Sequence, residues 1–161
     1  ALREDPDVIL VGEMRDFETI NAAVTAAETG HLVFSTLHTT GAAETIDRII
    51  DVYPPHSQGQ IRSQLANSVV GIISQTLVPT ADGKGRCAAL EILAATDAIR
   101  SMIREGKIFQ IPTAIATGKK NGMFTLDQDL ARLVNMGKIT NEVALTKCQD
   151  PNEYRRYLAV V

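Results

Sequence analysis

The sequence predicts an α/β fold: a parallel-sheet core over residues 1–95, followed by a helical region over residues 96–161. Three observations carry this prediction. Two short, mostly apolar runs, Val8–Val11 and Leu32–Leu37, flank a stretch with helical apolar spacing. Two further β-rich runs, 71–78 and 86–93, surround a segment of turn-forming residues. Beyond residue 95 the pattern turns helical, with capping residues at the expected places.

Each element follows from its residues. Val8-Ile9-Leu10-Val11 is too short for a helix and apolar enough to be buried on both faces, as an inner strand of a parallel sheet is. From Asp16 to Thr29, Phe17, Ile20, Val24 and Ala27 fall on one stripe, and Gly30 supplies a stop. Leu32–Leu37 then forms a second inner strand. Strand, helix, strand in this order implies a right-handed crossover and a parallel pair. Helices are expected over Gly41–Val52 and Ser57–Ser68, separated by Tyr53-Pro54-Pro55. The turn-rich 79–85 joins the next two strands. Thr96 caps a helix through Glu105 that Gly106 stops, and a further segment covers Lys107–Thr117. Thr125 with Gln128 makes a capping box for a helix ended by Gly137. Thr140 opens a short helix, and Asp150-Pro151-Asn152-Glu153 starts the last one.

Bulk composition narrows the function classes. A chain of 161 residues can bury one real core or two small ones. A net charge of −3 argues against a broad nucleic-acid surface, so no nucleic-acid partner is expected. Cys87 and Cys148 lie outside any CxxC pair and read as reduced cytosolic residues. No apolar run approaches the length of a membrane span. The first residue is Ala1 rather than Met, and the chain is expected to be a piece of a longer protein.

The candidate chemistry sits at the strand ends. Open α/β sheets bind ligands beyond the carboxyl ends of their strands. Glu13 ends the first strand, where a carboxylate can hold a Mg²⁺-bound water. The other reading is a surface glutamate in an ordinary strand-to-helix turn. Thr36, His38 and Thr39 end the second strand and open on the same crevice if the two strands are neighbours. An imidazole there can donate to a phosphate oxygen; alternatively His38 is a hydrogen-bonded loop residue. His31 begins its strand, on the opposite rim, and reads as structural. Arg15 either holds Asp16, Asp7 or the loop backbone, or faces a phosphate or a neighbouring subunit. Arg3 belongs to the same group. Arg48 has Glu44, Asp47 and Asp51 as partners on its own helix. Arg100 and Arg104 share a helix face, where like charges disfavour an isolated helix by ~0.2–0.5 kcal/mol. They read either as a solvated basic face or as contacts to an acid or a partner. Two Gly-Lys pairs, at Gly118-Lys119 and Gly83-Lys84, fail the GxxxxGK(S/T) pattern of a phosphate-binding loop.

Together these segments resemble a known family. LREDPDVILVGEMRD (2–16) resembles the Walker B signature of the type II/IV secretion ATPase superfamily, and TGHLVFSTLHTT (29–40) resembles its His box. AIRSMIRE (98–105) resembles the AIRNLIRE motif of the pilus-retraction members, departing at Ser101 and Met102. YPP after IDRIIDV, SQTLVP and GMFTLDQDL are similar as well, so the resemblance spans essentially the whole chain. It implies a RecA-like core followed by a helical C-terminal region. It implies a homohexameric ring that hydrolyses ATP with Mg²⁺ in the bacterial cytoplasm. That ring would be peripheral to the inner membrane and would drive pilus retraction with an inner-membrane platform protein as partner. By position, Glu13 becomes the acid acting on Mg²⁺ and water, and His38 lies near the γ-phosphate with His31 its companion. Arg15 and Thr36 join the nucleotide site. Ala98, Ile99, Arg100, Ile103, Arg104 and Glu105 form the retraction motif. The family's Walker A loop, its Asp box with the catalytic glutamate and its PAS-like domain are expected before Ala1. The isolated chain is therefore expected to be inactive. Pilus extension or type II secretion is the competing activity, opposed by AIRSMIRE and by the lack of a four-Cys segment. A non-catalytic assembly module is the other alternative.

Overall fold

Parallel pairing organises the first half of the chain. In the computed structural model, which describes residues 6–158, Val8–Val11 forms β1 and Leu32–Ser35 forms β2. Val8 lies opposite Leu32 and Val11 opposite Ser35. Between them runs α1 (Phe17–Glu28). Asp16 accepts the Thr19 amide at 2.9 Å while the Thr19 hydroxyl faces back to the Asp16 amide, a reciprocal cap. Gly30, at φ +98°, makes the left-handed turn into β2 that a Cβ would oppose.

Two expectations need correction here. The strands are not buried on both faces: Leu10 is 76% exposed, and Val8, Leu32 and Phe34 are also exposed. They share one face, and only the alternate residues on the other face are half-covered. Apolar character therefore identified the strands, while the extent of cover depends on neighbours that a four-residue run does not encode. The buried residues of α1 are Ile20, Ala23, Val24 and Ala26. Phe17 instead lies at the exposed start of the helix, edge-on to Tyr53 with ring centroids 4.9 Å apart.

The helices α2 (Ala42–Asp51) and α3 (Gln58–Ser68) follow, with a 3-10 turn at Pro55–Ser57 between them. The strands β3 (Gly71–Pro79) and β4 (Arg86–Ala94) pair antiparallel, from Gly71 opposite Ala94 to Pro79 opposite Arg86. Then come α4 (Asp97–Arg104), a 3-10 turn at Ile108–Gln110, and α5 (Ile111–Thr117). Pro112 sits in the first turn of α5, where its missing amide costs nothing. A further 3-10 turn at Lys119–Asn121 leads to α6 (Leu126–Asn135), α7 (Asn141–Leu145) and α8 (Pro151–Arg156).

The described residues fall into two compact units. One takes the chain up to Thr39, then Ala43–Val70 and Ala95–Ile111. Its core includes Ile20, Ile46, Ile61, Leu65, Ile99 and Ile103, all nearly or fully buried. Each such side chain contributes about 1.5–3 kcal/mol. The other takes Thr40–Ala42, Gly71–Ala94 and the residues from Pro112 onward. Here Val78, Ala89, Leu126, Leu130, Leu133, Ile139 and Tyr154 pack together, with Cys87 and Cys148 as free thiols beside them.

Three carboxylates, Glu91, Asp127 and Asp129, are buried in this second unit. Asp129 accepts the Leu90 amide at 2.8 Å and Arg132 Nε at 2.7 Å. Asp127 accepts the amides of Gln149 and Asp150 at 2.7 and 2.8 Å. Glu91 accepts the Ala42 amide at 2.8 Å. A buried acid is tolerated when backbone donors satisfy it, and these three are. Among the described residues no helix is long and apolar enough to cross a membrane.

Candidate functional site at the strand tips

Glu13 and His38 meet. The parallel register brings the chain beyond β1 and the chain beyond β2 out at the same edge, and His38 Nε2 lies 3.0 Å from Glu13 Oε1. The second carboxylate oxygen, Oε2, takes Arg15 Nη2 at 2.6 Å. The arrangement is lopsided in exposure: the Glu13 side chain is 22% exposed, those of Arg15 and His38 75% and 81%. A half-sheltered acid thus carries two cation-forming groups on its solvent side.

The hydrogen bond from Arg15 is the main force holding the Glu13 carboxyl below its ordinary range. Partial burial works against it, and the charges of Arg15 and His38 add to it. The reciprocal contact raises Arg15 above the usual guanidinium value. Glu13 is therefore an ionised acceptor at neutral pH, and Arg15 is paired with Glu13 rather than with Asp16 or Asp7. Asp16 is committed to its cap.

The remaining strand-end residues divide. The Thr36 hydroxyl donates to the Gly12 carbonyl at 2.6 Å, and the Met14 amide donates to the Thr36 carbonyl at 2.9 Å. Thr39 shares a 2.6 Å hydroxyl contact with Thr45 of α2. His31 sits apart from this group. Its Nδ1 lies 3.0 Å from the Ala26 carbonyl, at the end of α1, and 3.0 Å from the Thr29 hydroxyl. Arg3 lies outside the described residues. Arg48 lines a shallow groove with Glu44, Asp47, Asp51 and Val52, whose three carboxylates suit no phosphate. There, partial burial first and Asp51 second push the Asp47 carboxyl up.

The second motif lies on α4. Ile99 and Ile103 are buried, as the helical spacing predicts, and Ala98 is exposed. Arg100 meets neither solvent alone nor an acid. Its Nη1 donates to the carbonyls of Ala66 and Asn67, and its Nε donates to the Ala95 carbonyl at 3.2 Å. Ala66 and Asn67 end α3, so Arg100 satisfies carbonyls that a helix terminus leaves open. Arg104 Nη2 adds a 3.3 Å bond to the Asn67 side chain. Glu105 accepts Lys107 Nζ at 2.6 Å and the Ser101 hydroxyl at 2.7 Å. Those two contacts, Lys107 foremost, hold its carboxyl low.

The Type II/IV secretion system protein family matches residues 1–108. A twitching motility protein of Neisseria gonorrhoeae is 58% identical over 150 residues, covering 93% of this chain and 40% of its own length. The type IV pilus retraction ATPase PilT of Pseudomonas aeruginosa is 56% identical over 154 residues, covering 96% of this chain and 44% of its own. A crystal structure of the pilus retraction motor PilT with bound ADP superposes with a TM-score of 0.87 at 48% identity. It covers 96% of this chain and 43% of that one. The chain spans about two fifths of the length of these relatives.

Proposed function

The chain belongs to the type II/IV secretion system protein family, and from that premise we propose that it is the C-terminal part of a pilus-retraction ATPase. The observation that carries the proposal is the 3.0 Å approach of His38 to Glu13 at the end of a parallel strand pair. An ionised carboxylate and two exposed nitrogen donors converge there, and these are the groups a nucleoside triphosphate and its metal require. Over 90% of the chain aligns with a retraction ATPase, through the AIRSMIRE segment as well as the strand tips.

Residues 1–95 would then belong to a RecA-like ATPase core carrying the Walker B acid and the His box, and 96–161 to the helical C-terminal region. Magnesium takes one or two carboxylates and completes its shell with water and phosphate oxygens. Glu13, ionised and partly open, fits as its carboxylate, directly or through a water. Bound there, the ion would neutralise charge on the phosphates and polarise a water. His38 would donate to a γ-phosphate oxygen, and Arg15 would pair with phosphate oxygens as its planar fork allows. Thr36 shares this rim, while His31, at the other end of its strand, would act only as a structural residue. The α4 motif, Ala98 to Glu105, would couple the nucleotide cycle to the pilus machinery. The assembled protein would be a homohexamer at the cytoplasmic side of a bacterial inner membrane, acting on a platform protein there.

No GxxxxGK(S/T) segment occurs in the 161 residues. The chain alone accordingly lacks a phosphate cradle and is expected to show no Mg-ATPase turnover. In the full-length protein, Glu13→Gln keeps the shape of the acid and removes its charge. Nucleotide binding should persist while hydrolysis falls at least a hundredfold. Unchanged turnover in that variant, or steady turnover by the isolated chain, refutes the assignment.

A further inference from the structure

We infer that Thr36 is the positioning residue of this site: it grips the peptide units on either side of Glu13 and so fixes the carboxylate against His38. The inference rests on the reading of Glu13 as the acid of an ATPase site. Its own ground is the pair of bonds that bracket Glu13. The residue before it, Gly12, gives its carbonyl to the Thr36 hydroxyl at 2.6 Å. The residue after it, Met14, gives its amide to the Thr36 carbonyl at 2.9 Å. One residue just beyond the neighbouring strand thus holds both flanks.

The hydroxyl is what makes this possible. Register along β1 and β2 runs to Val11 opposite Ser35, and the next pair would be Gly12 opposite Thr36. Regular pairing stops there, and where the strands end a side-chain donor joins the backbone bond from Met14. Gly12 has open space where a Cβ would stand, so packing does not fix this turn. Hydrogen bonding does. Two residues beyond Thr36, His38 reaches the carboxylate that Thr36 has placed. A hydroxyl committed to Gly12 has its proton engaged, so it serves geometry rather than donating to a phosphate. An error of ~1 Å in a positioned group can cost up to about a hundredfold in rate.

The test uses the full-length protein with Mg-ATP. Thr36→Val keeps the branched shape and loses the hydroxyl, while Thr36→Ser keeps the hydroxyl. Thr36→Val should lower kcat by about tenfold and leave KM for Mg-ATP within about twofold. Thr36→Ser should restore kcat to within about twofold of the unmodified protein. Peptides covering residues 12–16 should exchange amide hydrogen at least about threefold faster in Thr36→Val, with α1 unchanged. A raised KM at normal kcat would make Thr36 a nucleotide contact and overturn the inference. Equal loss in Val and Ser variants would overturn it too, as would exchange that does not change. If the unmodified protein lacks ATPase activity, the reading of the site fails. The exchange measurement still decides whether Thr36 holds Glu13.

Discussion

Arg100→Ala removes a side chain whose work is visible in three bonds. Two reach partly sheltered carbonyls, Ala66 and Ala95, and the third reaches the more open Asn67 carbonyl. A hydrogen bond to a charged group contributes ~1.5–3 kcal/mol when sheltered and little when water replaces it. Taking the low end for the two sheltered bonds gives about 3 kcal/mol. The freed side chain regains about 1.5–2 kcal/mol of rotamer entropy that folding had cost. The cation also complements the negative end of α3, worth ~0.3–1 kcal/mol. The net destabilisation is therefore about 1.5–2 kcal/mol. At about 2–4 °C per kcal/mol for a chain of this size, the melting temperature should fall by ~3–8 °C. Arg100→Lys keeps the charge but cannot fork across three carbonyls, and should lose about half as much. Urea unfolding of the 161-residue chain, followed by circular dichroism, measures both. An Arg100→Ala variant within 0.3 kcal/mol of the unmodified chain on this ~2 kcal/mol scale would refute the capping argument. It would return Arg100 to the role of a free partner contact.

Two other substitutions follow from buried or crowded acids. Asp127→Ala orphans the amides of Gln149 and Asp150. It should cost ~2–4 kcal/mol in urea unfolding, and Asp127→Asn clearly less, because one acceptor remains. Equal stability of the Ala variant would mean that the amides find water instead. Asp47 behaves in the opposite sense. Burial and Asp51 raise its carboxyl in the folded chain, so its ionised form opposes folding above that raised value and the penalty disappears as pH falls through it. Asp47→Asn should raise the melting temperature at pH 7 and have no effect at pH 3. A gain that persists at pH 3 would show that charge is not the cause. Glu13 and Glu105 carry the usual carboxylate sign. Their stabilisation is full above the ordinary carboxylate range and is lost as pH falls below that range through their lowered values.

Local chemistry was the legible part of this sequence. The caps at Thr96, Thr125, Thr140 and Asp150 are all found, because a side chain two or three residues from its target needs no tertiary knowledge. The strands 71–78 and 86–93 each extend one residue further than expected. Leu32–Leu37 is cut short at Ser35, and Thr36 beyond it gives its hydroxyl to Gly12. Burial was the illegible part. Whether Leu10 faces a core depends on what lies over the sheet, and apolar composition is the same in either case. Arg100 was equally opaque: two of its three partners are backbone carbonyls over thirty positions earlier, which no side-chain pattern marks. Asp127 could have been suspected, as an acid in the first turn of α6 is favourable. Its actual partners lie at the start of α8.

The meeting of Glu13 and His38 was legible for a different reason: it follows from register. Parallel neighbours keep a constant offset along their length, so Val11 opposite Ser35 fixes what emerges at the tips. A slip of one residue would invert which side chains of β2 face the cover and which face solvent. It would also replace His38 at the carboxylate by Leu37 or Thr39, neither of which carries an ionisable nitrogen. The apolar alternation along β2 and the identity of the group on Glu13 are thus set by the same offset. Substitutions that shift the register, such as a charge at the half-buried Val33, should therefore damage the site from a distance. Thr36 stands where the ladder ends, and there its hydroxyl joins the backbone bond to Met14 in holding the two strand ends together.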